Sequence, residues 1–178
     1  GQCIEAGIGK NKDKQARKHT LAQTQLRYAS FREWHRSKIY PGNFGIMGNP
    51  CRYTLSAKAD SVDISIYDPD ANEQDGYGWV HPIIPMSVSG WHHFVFTYSS
   101  ATRAMKLYVD GVERYVLSTT GGDGKIQSQC ILEPLLLGYL YPDQNWFKGI
   151  IDSVSIYGRA ISAQEVLNLY RGVDIVSE

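Results

Sequence analysis

The chain has no long apolar run: its longest uninterrupted stretch is a few residues around Leu135 to Leu137, far below the roughly 18 needed to cross a bilayer as a helix. No membrane-spanning helix is expected. Cysteine is scarce. Cys3, Cys51 and Cys130 are an odd number without C-x-x-C spacing, so neither a zinc site nor a dense disulfide framework is signalled. Buried free thiols are the first expectation. A single Cys51 to Cys130 bridge is the alternative, and it would imply an oxidising environment. No signal peptide opens the chain, which begins at Gly1 rather than Met, so it reads as a processed chain or a piece of a longer one.

Net charge is also missing, because 18 Lys and Arg balance 18 Asp and Glu. The balance is uneven along the chain. Residues 10 to 38 hold nine Lys or Arg against Asp13 and Glu33, and the remainder carries the compensating acidic excess. Such a segment suits an acidic partner, nucleic acid or the acidic face of its own domain. Self-docking or simple solvation is the first reading, and nucleic acid is not expected, since no interleaving of aromatic and basic residues marks a groove for it.

What is abundant points to short strands. Twelve Tyr and seventeen Gly in 178 residues suit strands joined by tight turns rather than a helical bundle, and the length suits one domain. Residues 1–27 read as a basic arm or irregular segment and 28–178 as the domain. In "CRYTLSAKADSVDISIYD" two strands flank the turn-prone Lys58 to Ser61, with Val62, Ile64 and Ile66 alternating against Asp63 and Ser65, which predicts one wet and one buried face. "WHHFVFTYS" is apolar on both faces, as a central strand would be. In "MKLYVDGVERYVLS" Asp110 and Gly111 supply the positive φ angles of a tight hairpin. The stretch from Ile150 to Tyr157 alternates as a further strand. Ser162 and Glu165 form a capping box that opens a helix of about two turns, stopped by Gly172. The fold class is therefore all-β, a two-sheet antiparallel sandwich with one short helix near the C-terminal end.

The order "GWHHFVFTYSSATRAMKLYVDGVE", "PLLLGYL" and "FKGIIDSVSIYGRAISAQEVLNLY" resembles the laminin-G-like, concanavalin A-like jelly-roll superfamily over residues 90–171. One departure is visible: where that family often has Asp-Glu-Val-Arg, this chain has Asp152, Ser153, Val154 and Ser155. The resemblance implies two curved sheets, loops gathered at one rim, and recognition of carbohydrate or protein, often helped by calcium. The architecture hosts glycosidases, lectins and scaffolds alike, so function rests on the sites.

Four groups of residues are candidates. Asp68, Asp70, Asn72 and Asp75 place four oxygen-bearing side chains in eight residues, a density calcium can use, although a solvated turn accounts for the same letters. Tyr139, Tyr141, Asp143, Asn145 and Trp146 set aromatic rings beside amides and carboxylates, which suits a sugar or a protein surface; packing over the sandwich edge is the competing explanation. Tyr77 and Trp79 form a second group of this type. His92 and His93 are adjacent on a strand, point to opposite faces, and read as structural, and Trp91 reads as a core anchor. Catalysis is not expected: a retaining glycosidase needs two carboxyl groups about 5 Å apart, and neither Glu113 nor Glu133 has a carboxylate two residues away. The function these features favour is a non-catalytic recognition or adhesion module with a glycan or protein partner, extracellular or on a cell or virion surface. The alternative is a structural or assembly component whose basic arm docks a neighbour.

Overall fold

Strands form here where β-branched and aromatic residues alternate with polar ones, and Gly, Pro and Asn interrupt them. The computed structural model describes residues 23–31, 44–49, 51–58, 60–87, 90–128, 134–140, 145–147, 149–173 and 175. Its elements in chain order are β1 (Gln23–Phe31), β2 (Phe44–Asn49), β3 (Tyr53–Ala57), β4 (Ser61–Tyr67), β5 (Trp79–Val80), β6 (Ile83–Pro85), β7 (Gly90–Ser99), β8 (Ala104–Val109), β9 (Val112–Ser118), β10 (Leu136–Leu137), β11 (Tyr139–Leu140), β12 (Asn145–Trp146), β13 (Ile150–Ile151), β14 (Val154–Tyr157) and α1 (Ala163–Tyr170). One sheet runs β13-β1-β7-β8-β9, with β14 also on β1. The other runs β11-β12-β2-β3-β4-β5, with β10 on β2 and β6 on β4. Pairing is antiparallel except where Trp146 of β12 meets Gly45 of β2. The expected two-sheet jelly-roll sandwich with one short helix is thus what forms.

Ile46, Met47, Leu55, Val62, Ile64 and Ile66 of one sheet share a buried layer with Phe94, Phe96, Met105, Leu107 and Val109 of the other. Each such side chain contributes roughly 1.5–3 kcal/mol by leaving water. β7 is central and buried on both faces, as its sequence predicts. Its Val95 points away from this layer and packs with Tyr108 against Ile161, Val166 and Leu169, the apolar stripe of α1 and its approach. The capping box forms: Glu165 N donates to Ser162 Oγ, and Glu165 Oε2 accepts from Ser162 N at 2.6 Å. Arg159 adds a second hold, with Nη2 2.5 Å from Glu165 Oε1.

The hairpin between β8 and β9 turns on Asp110 and Gly111, at φ 53° and 79°. The Asp110 carboxylate accepts from His93 N at 2.9 Å and meets His92 Nδ1 at 2.9 Å, tying the turn to the start of β7. A side chain on Gly111 would come within 3.1 Å of the Tyr170 ring, so the last turn of α1 sits directly on the hairpin. The two histidines part as expected. His92 lies beside Phe94, whereas buried His93 stacks on Tyr170 at 5.8 Å.

Several expectations are corrected. The face of β4 predicted to be wet is buried: Asp63 is 8% exposed, Ser65 7%, and Ser56 beside them on β3 2%. The strand predicted from Ile150 to Tyr157 divides into β13 and β14, because Ser153 takes φ 53° and breaks the pleat. Trp91 is 47% exposed and does not anchor the core. Cys51 is not a free thiol but is disulfide-bonded; Cys3 and Cys130 lie outside the described residues, as does Glu133. β1 takes in Gln23 to Arg27, residues assigned from the sequence to the arm.

Two titrations test this packing. Burial pushes the Asp63 carboxyl up to about 6, with the positive charges of His81 and Lys58 pulling it partly back. Its folded value exceeds its unfolded one, so the protonated form is favoured in the fold and stability falls as pH rises from about 4 through 6. Asp63→Asn is expected to remove that slope and to be more stable than wild type at pH 7 by on the order of 2–3 kcal/mol, with no difference near pH 4, measured by urea unfolding. Glu165 shifts the other way: hydrogen bonding to Arg159 first, then to Ser162, holds it at about 2. Its contribution is present above pH 4.5 and lost as pH falls toward 2. Glu165→Gln should therefore cost about 1 kcal/mol at pH 7 and nothing at pH 2, read in the same unfolding series.

Candidate binding rim

Loop 68–78 leaves β4 at Asp68 and returns at β5, and its own polar groups set its shape. Asp68 N donates to Gly78 O at 2.9 Å, and Asp75 N to Trp79 O at 2.8 Å. Gln74 Oε1 accepts from Gly76 N and Gly78 N, at 2.6 and 3.0 Å. Asp75 Oδ1 accepts from Tyr77 N and Trp79 N, at 2.8 and 3.0 Å, and its other oxygen meets His81 Nε2 at 3.2 Å. Against the opposing effect of burial, these hydrogen bonds hold the Asp75 carboxyl below its usual range. Gly76 and Gly78 take φ 87° and 90°, conformations that cost a side-chain-bearing residue energy. The result is a rigid loop that presents Tyr77, 81% exposed, between two glycines. Trp79 packs instead edge-on to Tyr67, with ring centroids 5.4 Å apart.

A second loop, residues 119–128, locks onto the first. Ala71 bridges Gly121. Asn72 N donates to Thr120 O at 2.9 Å, while the Glu73 carboxylate accepts from Thr120 N and Oγ1, at 2.7 and 2.5 Å. Those bonds, working against burial, lower the Glu73 carboxyl. Gln127 Nε2 donates to Asp70 Oδ2 at 2.7 Å. Beneath them the Arg103 guanidinium donates to the carbonyls of Gly121 and Gly122, at 2.5 and 2.9 Å, and Tyr98 Oη donates to Gly124 O at 2.8 Å. Arg103, Thr120 and Gln127 carry this arrangement, and sequence reasoning missed them. The only signal in the sequence is the run of glycines at 121, 122 and 124, which marks a loop but not its partners.

Of the four residues proposed for calcium, the structure treats each differently. Asp68 is fully buried, and its Oδ2 has no hydrogen-bond partner. Burial foremost, then the neighbouring charges of Asp70 and Asp123, raises its carboxyl, while the Asp70 N–H and Arg103 oppose the rise. Asp70 stands beside it, with Asp70 N 3.3 Å from Asp68 Oδ1. Asn72 donates its amide to Thr120 Oγ1 at 3.1 Å, and a side chain on Gly121 would come 3.0 Å from its amide oxygen. Asp75 is engaged with its own loop through both oxygens. Among the described residues no three His, Cys, Asp or Glu side chains are grouped so as to hold a metal ion.

The other aromatic group lies elsewhere. Tyr139 pairs with Trp146 and Leu140 with Asn145 in the β11–β12 ladder; Tyr141 and Asp143 lie outside the described residues. β11 and β5 are the opposite edges of one sheet, and β12, next to β11, is separated from β5 by β2, β3 and β4, roughly 19 Å at the usual strand spacing. Tyr77 and Trp79 therefore do not join Tyr139 and Trp146 in one site. The acidic loop, by contrast, carries Tyr77 itself, so the calcium and aromatic candidates of residues 68–79 form one rim.

The chain matches the model of the concanavalin A-like lectin/glucanases superfamily over residues 29–167. No curated protein matches it. Among solved structures it is similar to the CBM40 module of the Ruminococcus gnavus IT-sialidase, with a TM-score of 0.62 and 14% identity over 85% of this chain and 83% of that one. It is also similar to a heptameric SAP-like pentraxin from Limulus polyphemus, with a TM-score of 0.58 and 12% identity over 85% and 70%. A third similarity is to the binding domain of botulinum neurotoxin serotype D, with a TM-score of 0.55 and 14% identity over 86% of this chain but 37% of that one. Identities this low speak for the fold, while the family match spans well over half the chain: the protein belongs to the concanavalin A-like lectin/glucanases superfamily.

Proposed function

We propose that the chain is a non-catalytic recognition module that takes a glycan or a protein at the rim where loop 68–78 meets loop 119–128. The observation that carries this is the rim's construction: its polar atoms are consumed in fixing two interlocked loops, and the outcome is one almost fully exposed aromatic ring, Tyr77. A ring held in place by hydrogen-bonded backbone loses little entropy when a partner covers it. The neighbours in fold lend support, since the Ruminococcus gnavus module is described bound to α2,6 sialyllactose and the toxin fragment is a binding domain. The ring of Tyr139, at the other edge of the sheet with Trp146, offers a second contact region.

Chemistry finds less support than recognition. Along β4, Asp63 has Ser61 and Ser65 as its same-face neighbours, and the charges acting on it are those of His81 and Lys58 rather than a second carboxylate. A glycosidase pair is not built there. The bridged Cys51 favours an oxidising setting outside the cell or on a surface. Asp68 and Asp70, with the amide oxygen of Asn72, are the residues that would hold a calcium ion; the buried, unpartnered Oδ2 of Asp68 is the feature that fits one. A bound calcium would offset the crowded carboxylates and offer open positions to a ligand's hydroxyls. Asp75 is left out of this set because its oxygens are already engaged.

The test is binding of the purified chain to a broad glycan array and to a panel of immobilised extracellular proteins, with calcium and with chelator. Saturable binding without turnover is expected, weakened by about tenfold or more in Tyr77→Ala or Trp146→Ala, and made insensitive to calcium by Asp68→Asn. Thermal unfolding of each variant separates loss of contact from loss of fold. Binding that ignores both aromatic variants, or cleavage of the bound glycan, would overturn the proposal.

A further inference from the structure

The rim where loop 68–78 meets loop 119–128 carries more negative charge than its own cations answer. Residues 68–79 contain Asp68, Asp70, Glu73 and Asp75 with no Lys or Arg, and Asp123 stands in the second loop. The positive side chains nearby are already engaged. Arg103 donates to the carbonyls of Gly121 and Gly122, His81 meets Asp75, and Lys125 pairs with Asp123 from two residues away. A separate sign lies beneath the surface. Asp68 is fully buried, and its Oδ2 has no hydrogen-bond partner among the described residues. The charges acting on it are those of Asp70 and Asp123, which repel it, and of Arg103.

Backbone contacts hold the exposed members of this group together. Asp68 N donates to Gly78 O at 2.9 Å, and a side chain on Gly78 would come within 3.1 Å of Pro69 Cβ, so Tyr77 and Asp70 flank one point of closure. A side chain on Gly122 would lie 2.9 Å from Asp70 Cβ, which sets Asp123 beside Asp70. Asp70, Tyr77 and Asp123 are all exposed. The chemistry of the ligand follows from what the loops leave unused. Glu73, Gln74 and Asp75 accept from the loops' own N–H groups, so the hydroxyls of a neutral sugar would find few acceptors, and covering a hydroxyl without one is unfavourable. An anionic sugar would meet five carboxylates. A lysine or arginine side chain suits both features: its apolar stem lies along an aromatic face, its charge is attracted to that face, and its N–H groups pair with carboxylates. Tyr77, 81% exposed, supplies the face, and Asp70 and Asp123 supply the carboxylates.

We propose that the rim's ligand is a protein segment presenting a lysine or arginine, its stem laid on the Tyr77 ring and its charged head between Asp70 and Asp123. This rests on the reading of the rim as the recognition site and names the class of partner it takes. Lys125 is then a competitor within the rim, because its ammonium group holds the same Asp123 carboxylate. Removing that ammonium strengthens binding, the opposite of what the loss of a structural ion pair would do.

The experiment uses the full chain in chelator, a fluorescent peptide of alternating glycine and lysine, and a matched peptide with glutamine in place of lysine. Anisotropy should show the lysine peptide binding saturably and at least about tenfold more tightly than the glutamine peptide. Asp70→Asn combined with Asp123→Asn should weaken it by about tenfold, and Tyr77→Ala by about three- to fivefold, with Tyr77→Phe close to wild type. Lys125→Gln should tighten it by about threefold. Asp60→Asn removes the same charge at the opposite end of β4 and should change nothing. Asn at position 70 keeps an acceptor for Gln127, thermal unfolding checks each fold, and Lys125→Gln decides the matter if an Asn variant unfolds. Equal binding of the two peptides, binding indifferent to Tyr77→Ala, or equal weakening by Asp60→Asn overturns the inference, the last two because they describe general attraction to negative charge rather than a seat for one side chain. Weaker binding to Lys125→Gln overturns it as well. The two proposals fail separately. A glycan or protein that binds through Tyr77 while the lysine peptide does not leaves recognition standing and removes the cationic class. If no ligand, the peptide included, responds to Tyr77→Ala, recognition at this rim falls too.

Discussion

The apolar layer between the sheets is the constraint on which everything else rests. Phe94, Met105 and Leu107 on one side and Met47, Leu55 and Ile64 on the other are essentially inaccessible to water, and their burial sets the register of β7 between β1 and β8 and of β3 between β2 and β4. Slipping one residue in any of these ladders would turn the buried set outward. Once the registers are fixed, the loops have little freedom. Tyr67 must end β4 where Trp79 can pair with it, and Ser99 must end β7 where Arg103 can reach the second loop. The rim is a consequence of the core.

How the rim holds together explains why it suits recognition. Glu73, Gln74 and Asp75 would look available to a ligand in a list of polar side chains, yet each accepts from backbone N–H groups within the two loops. They stabilise shape and leave few groups free to react. Asp68 is the exception, because it is buried without a partner for one oxygen. Leaving such an oxygen unpaired costs roughly 1–3 kcal/mol, a cost a cation at the site would offset. The same loop therefore combines an exposed ring with a buried carboxylate oxygen that has no hydrogen-bond partner.

Much of the fold was legible because it is written locally. Asp110 and Gly111 can hardly form anything but a tight turn between two alternating strands, and Ser162 with Glu165 announces a helix start whatever lies around it. The sheet assignment of "WHHFVFTYS" followed from its being apolar on both faces. What failed depended on distant partners. Asp63 and Ser65 alternate with Ile64 just as a wet face would, and nothing in β4 reveals that this face is buried. Trp91 carries the apolar mass of a core residue but stands at the start of β7, where it is about half exposed. The site was readable only in part for the same reason. Tyr77 and Asp68 are near in sequence and were found together, whereas the contribution of Arg103, Thr120 and Gln127 depends on a meeting of two loops some fifty residues apart along the chain.

The distribution of charge joins these points. Nine of the 18 Lys and Arg lie between residues 10 and 38, where only Asp13 and Glu33 oppose them, so a neutral total hides a local imbalance whose field is screened beyond about 10 Å at 0.1 M salt. The strand order then decides which parts of the chain share an end of the sandwich. Because β1 runs antiparallel to β7, its first residues stand at the end of β7 that leads toward Arg103 and the second loop; with β1 reversed, they would stand at the far end, beside the Asp110 hairpin. Topology, more than composition, decides which loops meet at one end of the sandwich.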